Sequence, residues 1–241
     1  HETYTACLVP GERNPPGFHV DWRYRSRSLT HPADGALLME PGEVHVTRRL
    51  SGPATFWVIQ IEPRLVEEAG RGLGFRTPPH LKVPFAESPP LVSALRHLHR
   101  TAVGGASALE QETRLAAYVS SLLEHCSEES RPLPLYRHPG VRRAREYLAT
   151  HFAEPVTLAD LERVAGLSRF HLARSFTARY GLPPHAYQVQ LRLAAARRLI
   201  RAGLPLAHVA AGAGFADQSH LGRHFKRVWG VTPGRYRATV R

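Results

Sequence analysis

The chain has 241 residues, enough for two domains of ordinary size that each bury a core without disulfides or metal. Its two cysteines, Cys7 and Cys126, are too few for a secreted disulfide framework and lack metal-ligand spacing, which favours buried thiols in the reducing cytoplasm. No apolar run approaches the roughly 18 residues of a membrane span, and no leader with a cleavage site opens the chain, so we expect no membrane partner. The first residue is His1 instead of Met, which suggests that upstream residues are missing.

The net charge of +12 is concentrated in one part of the chain. Residues 137–241 hold 18 Lys and Arg against 5 Asp and Glu, a net charge of +13, whereas residues 1–136 have a net charge of −1. This asymmetry is typical of a nucleic-acid-binding domain joined to a neutral domain. Basic surfaces also serve anionic membranes, so charge alone leaves that alternative open.

Residues 1–62 are rich in β-branched and aromatic residues and are broken by turn formers such as Pro10-Gly11, Asp34-Gly35 and Pro41-Gly42. Short strands at such close intervals predict a sandwich or barrel. The predicted strands are 4–9, 19–26, 36–40 and 55–62.

Helical patterns follow the strands. Pro63 opens a helical stretch that ends near Gly70, and apolar residues then recur at helical spacing in two further stretches. Those residues are Leu91, Leu95 and Leu98 in one stretch and Leu115, Val119, Leu122 and Cys126 in the other. A segment with three prolines among charged residues, 128–139, is the best linker candidate. The predicted division is therefore 1–88 for the β domain, 89–130 for amphipathic helices, 131–138 for the linker and 139–241 for a helical domain.

The C-terminal part contains an internal repeat. Residues 171–187 and 220–236 match at an offset of 49, and the match continues upstream at an offset of 48, so one residue is inserted in the second copy. The downstream identities pair His171, Leu172, Arg174, Phe176, Gly181, Pro184 and Tyr187 with His220, Leu221, Arg223, Phe225, Gly230, Pro233 and Tyr236. Such a repeat predicts two structurally equivalent units.

Each copy has the pattern of a helix-turn-helix: a first helix, a glycine turn, a capped second helix and a terminating glycine. In chain order the signals are Thr157, Gly166, Ser168 and Gly181 in the first copy and Gly214, Asp217 and Gly230 in the second. A long helix over 186–202 joins the copies and would fix their spacing.

The second helix of such a unit enters the major groove, where residues on its outer face reach base edges. The predicted DNA-binding residues are Arg169, Phe170, His171, Arg174, Gln218, Ser219, His220, Arg223 and Arg227. Arg174 and Arg223 are expected to pair with guanine and Arg227 to contact phosphate, whereas the two histidines could orient arginine, touch phosphate or read a base. A repeated helical hairpin could also form a protein-binding solenoid, but the arginines within a +13 domain favour duplex DNA.

The second copy resembles the signature of the AraC/XylS family of regulators. The residues that carry the resemblance run from Val209 to Arg237 and include Gly214-Phe215-Ala216-Asp217-Gln218-Ser219-His220-Leu221 and Gly230-Val231-Thr232-Pro233. The resemblance implies a seven-helix, two-lobed domain with two recognition helices in adjacent major-groove segments. The chain departs from the pattern at Leu221, where Phe is commoner, and at Leu206, where Ile is frequent.

The segment 36–45, in which a strand runs into Pro41-Gly42 and then His45, is similar to the cupin-type effector domain of the same family. This resemblance implies a barrel that binds a small-molecule effector, a dimerisation element in helices 89–128, a homodimer, and RNA polymerase as a partner. The candidate effector-binding residues are Tyr4, His19, Trp22, Tyr24, His45 and Trp57. The expected fold class is an α+β multidomain protein with a cupin-like β-barrel, a helical dimerisation element and an all-α double helix-turn-helix domain.

An enzyme is the rival from another class, because cupin barrels can hold a catalytic metal. The paired His-x-His with its following Glu and later His is not visible, and His1 with His45 could be at most a remnant. Gly70-Arg71-Gly72-Leu73-Gly74 follows a helix instead of a strand, which disfavours a phosphate-binding loop. We therefore predict no catalytic residue, no metal and no cofactor, while oxidation sensing by Cys7 or Cys126 remains open.

Overall fold

The computed structural model describes residues 2–24, 27–75, 79–81, 85–128 and 138–239. The chain divides into two compact units, the first formed by His1–Ala106 with Arg114–Leu135 and the second by Ser107–Thr113 with Tyr136–Arg241. His1 and residues 131–137 of the predicted linker lie outside the described residues.

The first unit contains two antiparallel sheets. Their strands are β1 (Tyr4–Leu8), β2 (His19–Tyr24), β3 (Arg27–Pro32), β4 (Ala36–Met39), β5 (His45–Leu50), β6 (Trp57–Ile61) and β7 (Phe85–Ala86). One sheet has the order β6-β1-β4-β7 and the other β3-β2-β5. The four predicted strands are confirmed; β1, β4 and β6 are one to three residues shorter than predicted, and residues 25–26 of the predicted second strand lie outside the described residues. β3 and β5 were not predicted, because their sequences, RSLTHP and HVTRRL, are too polar to show the apolar alternation of a half-buried strand.

The core of this unit lies between the two sheets. Cys7 pairs with Leu37 across β1 and β4, and both pack against Trp22 of β2. At one side of the sandwich the ring centroids of Phe85 on β7 and His31 on β3 are 4.0 Å apart. Since β1 faces β2, the other edge strands, β6 and β5, flank the opposite side of the inter-sheet space. The fold therefore has the β-domain architecture that the sequence predicts.

Three helices follow the strands: α1 (Pro63–Gly72), α2 (Pro89–Val103) and α3 (Ala108–Cys126). α2 is held to the strand region by Arg96, whose guanidinium donates to Glu12 Oε1 at 2.7 Å and also pairs with Asp34. One turn further along, the ring of His99 stacks on Trp57 with centroids 4.3 Å apart. These contacts fix one face of α2, and its predicted apolar stripe is buried.

Seven helices form the second unit within residues 138–239, as the family resemblance implied. They are α4 (Pro139–Thr150), α5 (Leu158–Ala165), α6 (Arg169–Tyr180), α7 (Pro184–Arg201), α8 (Leu206–Gly212), α9 (Gln218–Trp229) and α10 (Pro233–Thr239). The long connecting helix predicted over 186–202 is α7. Leu158, Leu161 and Ala165 are buried on the inner face of α5, whereas Val164 is only half-buried.

Within the described part of the chain, no helix is both long enough and apolar enough to cross a bilayer.

Candidate nucleic-acid interface

The first helix-turn-helix, α5 and α6, is built by local capping. The Thr157 hydroxyl accepts a hydrogen bond from the backbone of Asp160, whose carboxylate accepts one back from the backbone of Thr157, a capping box. Gly166 then turns the chain with φ 66°, and the Ser168 hydroxyl caps α6 by accepting from His171 N at 3.4 Å. These residues adopt the predicted roles because each satisfies a backbone group that a helix end leaves unpaired.

The second helix-turn-helix, α8 and α9, repeats this geometry with a longer turn. Gly214 has φ 78°, and Asp217 Oδ1 accepts from His220 N at 2.6 Å. Phe215 and Ala216 separate the turn glycine from the capping residue, whereas Leu167 alone does so in the first copy. The predicted one-residue insertion is therefore confirmed and lies within the turn.

Both recognition helices also end alike. Gly181 follows α6 with φ 71° and Gly230 follows α9 with φ 72°. Each glycine N–H donates to the carbonyl four residues earlier, Thr177 O or Lys226 O, at 2.8 Å. Since glycine adopts positive φ without steric cost, these residues stop the helices at equivalent points.

The predicted contact residues of α6 occupy different environments. Phe170 is 2% exposed and packs in the core, so it does not belong to a groove-facing surface. Arg169 is half-buried with its Nε 3.6 Å from Glu162 Oε2. His171 and Arg174 are also half-buried, and burial lowers the pKa of His171. The groove-facing surface of α6 is thus narrower than the sequence pattern predicts.

The predicted contact residues of α9 are more accessible. Gln218, Ser219 and Arg223 are exposed, and a Cβ added to Gly222 would meet nothing within 4 Å. Lys226, which the sequence analysis did not single out, lies one turn beyond Gly222 and Arg223 and is exposed. The sequence could have identified Lys226, because it stands three residues after Arg223 and residues at that spacing share a helix face.

Two histidines connect the second turn to Arg227. His220 Nδ1 accepts from Ala216 N at 3.4 Å, and the ring of His220 packs edge-on against that of His224 with centroids 4.8 Å apart. The Arg227 guanidinium lies 2.8 Å from His224 Nδ1. Because an arginine can only donate, that nitrogen must keep a lone pair, which requires a neutral His224. Burial, aided by the charge of Arg227, lowers the pKa of His224 to about 4.

Three of the six candidate effector-binding residues come together between the sheets. The ring centroid of Trp22 is 5.4 Å from that of Tyr24 and 6.2 Å from that of His45. Cys7 belongs to the same cluster, and burial raises the pKa of its thiol to about 11. Burial also lowers the pKa of His45. The side chains gathered here are therefore uncharged at neutral pH.

The other three candidates lie elsewhere. The Tyr4 hydroxyl donates to Pro79 O at 3.2 Å, and Trp57 stacks on His99 of α2. His19 alternates with the buried Val20 on β2, and its Nδ1 lies 3.3 Å from Gly17 O. Strand alternation explains the split, because successive residues point to opposite faces of a sheet.

Trp22 places a buried donor in the inter-sheet space. Trp22 is 2% exposed, and its indole N–H has no hydrogen-bond partner among the described residues. On the edge strand β6, Val58 pairs with Cys7 and is 53% exposed. Buried donors are normally satisfied, so the indole N–H of Trp22 has an unmet capacity for a hydrogen bond. Among the described residues, no cluster of three or more His, Cys, Asp or Glu is arranged to hold a metal.

Comparison with known proteins assigns both units. A family model described as an AraC-like ligand binding domain matches residues 19–123, and one described as a helix-turn-helix domain matches residues 161–239.

Individual relatives agree with these matches. The chain is 31% identical over 199 residues to the uncharacterized HTH-type transcriptional regulator YbfI of Bacillus subtilis, which covers 80% of this chain and 71% of the relative. It is 30% identical over 151 residues to the RCS-specific HTH-type transcriptional activator RclR of Escherichia coli, which covers 61% of this chain and about half, 53%, of that relative. Among solved structures, the C-terminal domain of AraT, a response regulator from Geobacillus stearothermophilus, is 30% identical over 43% of this chain and 88% of its own, with a TM-score of 0.41. The chain belongs to the AraC family of DNA-binding transcription regulators, with an AraC-like ligand-binding domain followed by a helix-turn-helix domain, and not to a family of enzymes.

Proposed function

We propose that α6 and α9 enter two successive major-groove segments of a duplex operator and read base edges there. The observation that carries the proposal is the pair of equivalently capped helix-turn-helix units in a domain of net charge +13. Equivalent caps at Ser168 and Asp217 give the two helices equivalent starts, and the first turns of such helices reach bases.

Individual side chains then take separate roles. Arg174 and Arg223, which occupy equivalent positions of the repeat, form bidentate pairs with guanine, and Gln218 pairs with adenine. Lys226 and Arg227, near the end of α9, contact phosphate. The neutral His224 orients Arg227 by accepting its hydrogen bond, while His220 stabilises the turn.

Conservative substitutions test this assignment on the full chain. A duplex is first selected from a randomised pool with the unaltered protein. Arg174→Lys and Arg223→Lys keep the charge but lose the planar fork, so each should cost about 1 to 3 kcal/mol on the selected duplex and change little on scrambled DNA. Arg179→Lys is the matched control, because Arg179 is exposed near the far end of α6 and contacts Tyr180. An unchanged preference for the selected duplex in both variants would reject base reading by these arginines.

The same assay separates phosphate contacts from base contacts. Arg227→Ala should weaken binding to selected and scrambled duplexes alike and flatten the salt dependence by about one unit of slope. A loss confined to the selected duplex would contradict the phosphate role.

The small-molecule effector is proposed to bind between the two sheets, beside Trp22, Tyr24 and His45. The uncharged surroundings favour an apolar or aromatic ligand that offers an acceptor to the unpaired Trp22 N–H. A neutral fluorescent dye, N-phenylnaphthylamine, serves as the probe. Val58→Glu places a charge at the open edge and should weaken dye binding about tenfold, whereas Val44→Glu, which alters an 80% exposed residue outside the strands, should not. Equal effects of the two changes would exclude this site.

We also propose that the protein forms a homodimer, contacts RNA polymerase and is located in the cytoplasm, since a regulator of this family acts at promoters. The predicted apolar stripe of α3 is already covered within one chain, because Val119 is fully buried and Leu122 is 2% exposed. A dimer through α3 would therefore use its exposed face, which includes Ala117 and His125. Sedimentation of the full chain at about 10 to 50 μM tests this, and monomer alone would reject it.

A further inference from the structure

The loop between α4 and α5, residues 151–157, is gripped by two side chains of the connecting helix α7. Gln188 Nε2 donates to Phe152 O at 3.2 Å and to Glu154 O at 3.0 Å. Arg192 donates to the same two carbonyls, from Nε at 2.6 Å and from its terminal nitrogen at 2.9 Å. Four hydrogen bonds therefore converge on two backbone oxygens.

Both gripping side chains are buried, Gln188 to 3% and Arg192 to 8% exposure. The Arg192 hydrogen bonds described above go to carbonyl oxygens, and burial lowers the pKa of its guanidinium. A buried cation costs free energy unless its donors are satisfied. The two carbonyl oxygens therefore stabilise the buried guanidinium, and the guanidinium in turn fixes the position of the loop. The planar guanidinium also fixes the direction of approach, which an ammonium group would not do.

The gripped loop also touches the turn of the second helix-turn-helix. A Cβ added to Gly214 would lie 2.5 Å from Ala153 Cα, so the two backbones are in direct contact. The neighbouring Phe152 packs against the buried cluster of the second lobe, which includes Leu193 and Phe215. A segment at the entrance to α5 thus meets the connecting helix and the second turn at one point, which we call the joint (152–154, 188, 192 and 214).

We propose that Gln188 and Arg192 are positioning residues that set the distance and angle between the recognition helices α6 and α9, and thereby restrict the protein to one spacing between the two operator segments. The inference rests on the proposed function of α6 and α9. One inserted base pair moves a segment by about 3.4 Å along the duplex and about 35° around it. A rigid joint cannot follow such a shift, whereas a loosened joint can.

The test uses the full chain and three duplexes. The first is selected from a randomised pool with the unaltered protein. The second carries one base pair inserted, and the third one base pair deleted, between the two segments that α6 and α9 are proposed to contact. The readout is the ratio of dissociation constants between altered and original spacing. We expect a ratio of about ten for the unaltered chain, which corresponds to the loss of one base contact. Arg192→Lys and Gln188→Ala should each lower this ratio to about three or less.

Arg198→Lys is the matched control, because Arg198 is an exposed arginine on the same helix, and it should keep the ratio of the unaltered chain. A joint with a purely structural role would weaken binding to all three duplexes and leave the ratio unchanged, which would overturn the proposal. Circular dichroism checks folding, and the ratio can be read from either variant. If both variants are unfolded at the assay temperature, the joint is a determinant of folding and the proposal is likewise overturned.

Failure of the underlying function gives a different result. If the unaltered chain enriches no duplex from the pool, DNA reading by α6 and α9 is rejected. If it enriches a duplex but tolerates the inserted or deleted base pair as well as the original spacing, base reading survives and the positioning role alone is rejected.

Discussion

Replacement of His31 by leucine should make the first unit less sensitive to acid. His31 is 1% exposed on β3, and burial lowers its pKa to about 4 from an ordinary value of about 6.5. Because the folded pKa lies below the unfolded one, the unfolded chain binds more protons between these values. Stability is therefore complete above about pH 6.5 and falls as the pH drops towards 4.

The size of the effect follows from the two pKa values. Between about pH 7 and about pH 5, the unfolded state gains about 2 kcal/mol from protonation of this one side chain, while the folded state gains almost nothing. The unaltered first unit should lose about 2 kcal/mol more over this interval than His31→Leu does. Leucine has a similar volume and does not titrate, so the difference between the two pH slopes isolates His31.

Urea unfolding followed by tryptophan fluorescence measures this difference. Trp22 and Trp57 report on the first unit, so Trp229→Phe is introduced into both proteins to remove the signal of the second unit. His19→Leu is a suitable control, since His19 is half-buried on the same sheet. Equal pH slopes for the chains with and without His31 would refute the argument that burial depresses its pKa.

Three further predictions concern single contacts. Thr157→Ala removes the capping box of α5 and should destabilise the second unit by about 1 kcal/mol in urea unfolding followed by Trp229; no loss would mean that the cap is not formed. Phe225→Ala empties a fully buried site beside Trp229 and should cost about 3 to 5 kcal/mol in the same assay, with a loss below about 1 kcal/mol counting against the assigned core. Arg96→Ala should destabilise the first unit by about 1 kcal/mol. A hydrogen bond from its own backbone and a second from Arg96 lower the pKa of Glu12, so the substitution should let this pKa return towards its ordinary value. An unchanged NMR titration of Glu12 would contradict the pairing with Arg96.

The helix-turn-helix units could be predicted from the sequence because their signals are local. Each cap and turn requires a particular residue type within a few positions, such as Thr157 before α5 or Gly181 after α6, and the repeat supplies every signal twice. The strands β3 and β5 could not be predicted in this way. They are polar because each lies at an edge of the three-stranded sheet, where few of their residues are buried.

Burial separates the predicted site residues that are accessible to a ligand from those that are not. The sequence pattern places Phe170 among the groove-facing positions, but its side chain is buried in the core at the start of α6. The residue pattern of a single helix cannot distinguish these two roles. The contacts of the joint could not be predicted from neighbouring residues, because Gln188 and Arg192 contact carbonyls 34 to 40 residues earlier in the chain. A backbone carbonyl carries no side-chain signature, so nothing in the sequence marks it as a partner.

The repeat predicts two equal folds, but it does not predict that equivalent residues have equal tasks. The second turn is one residue longer and therefore contains one more backbone N–H, that of Ala216, which no helix pairs. His220 Nδ1 accepts from this N–H, and the ring of His220 packs against that of His224, whose Nδ1 lies 2.8 Å from the Arg227 guanidinium. His171, its equivalent in the first copy, follows a shorter turn and has Ser175 where the second copy has His224. The single inserted residue thus explains why a histidine at one position of the repeat supports the turn in the second unit, and why His171 cannot be assigned the same role by analogy.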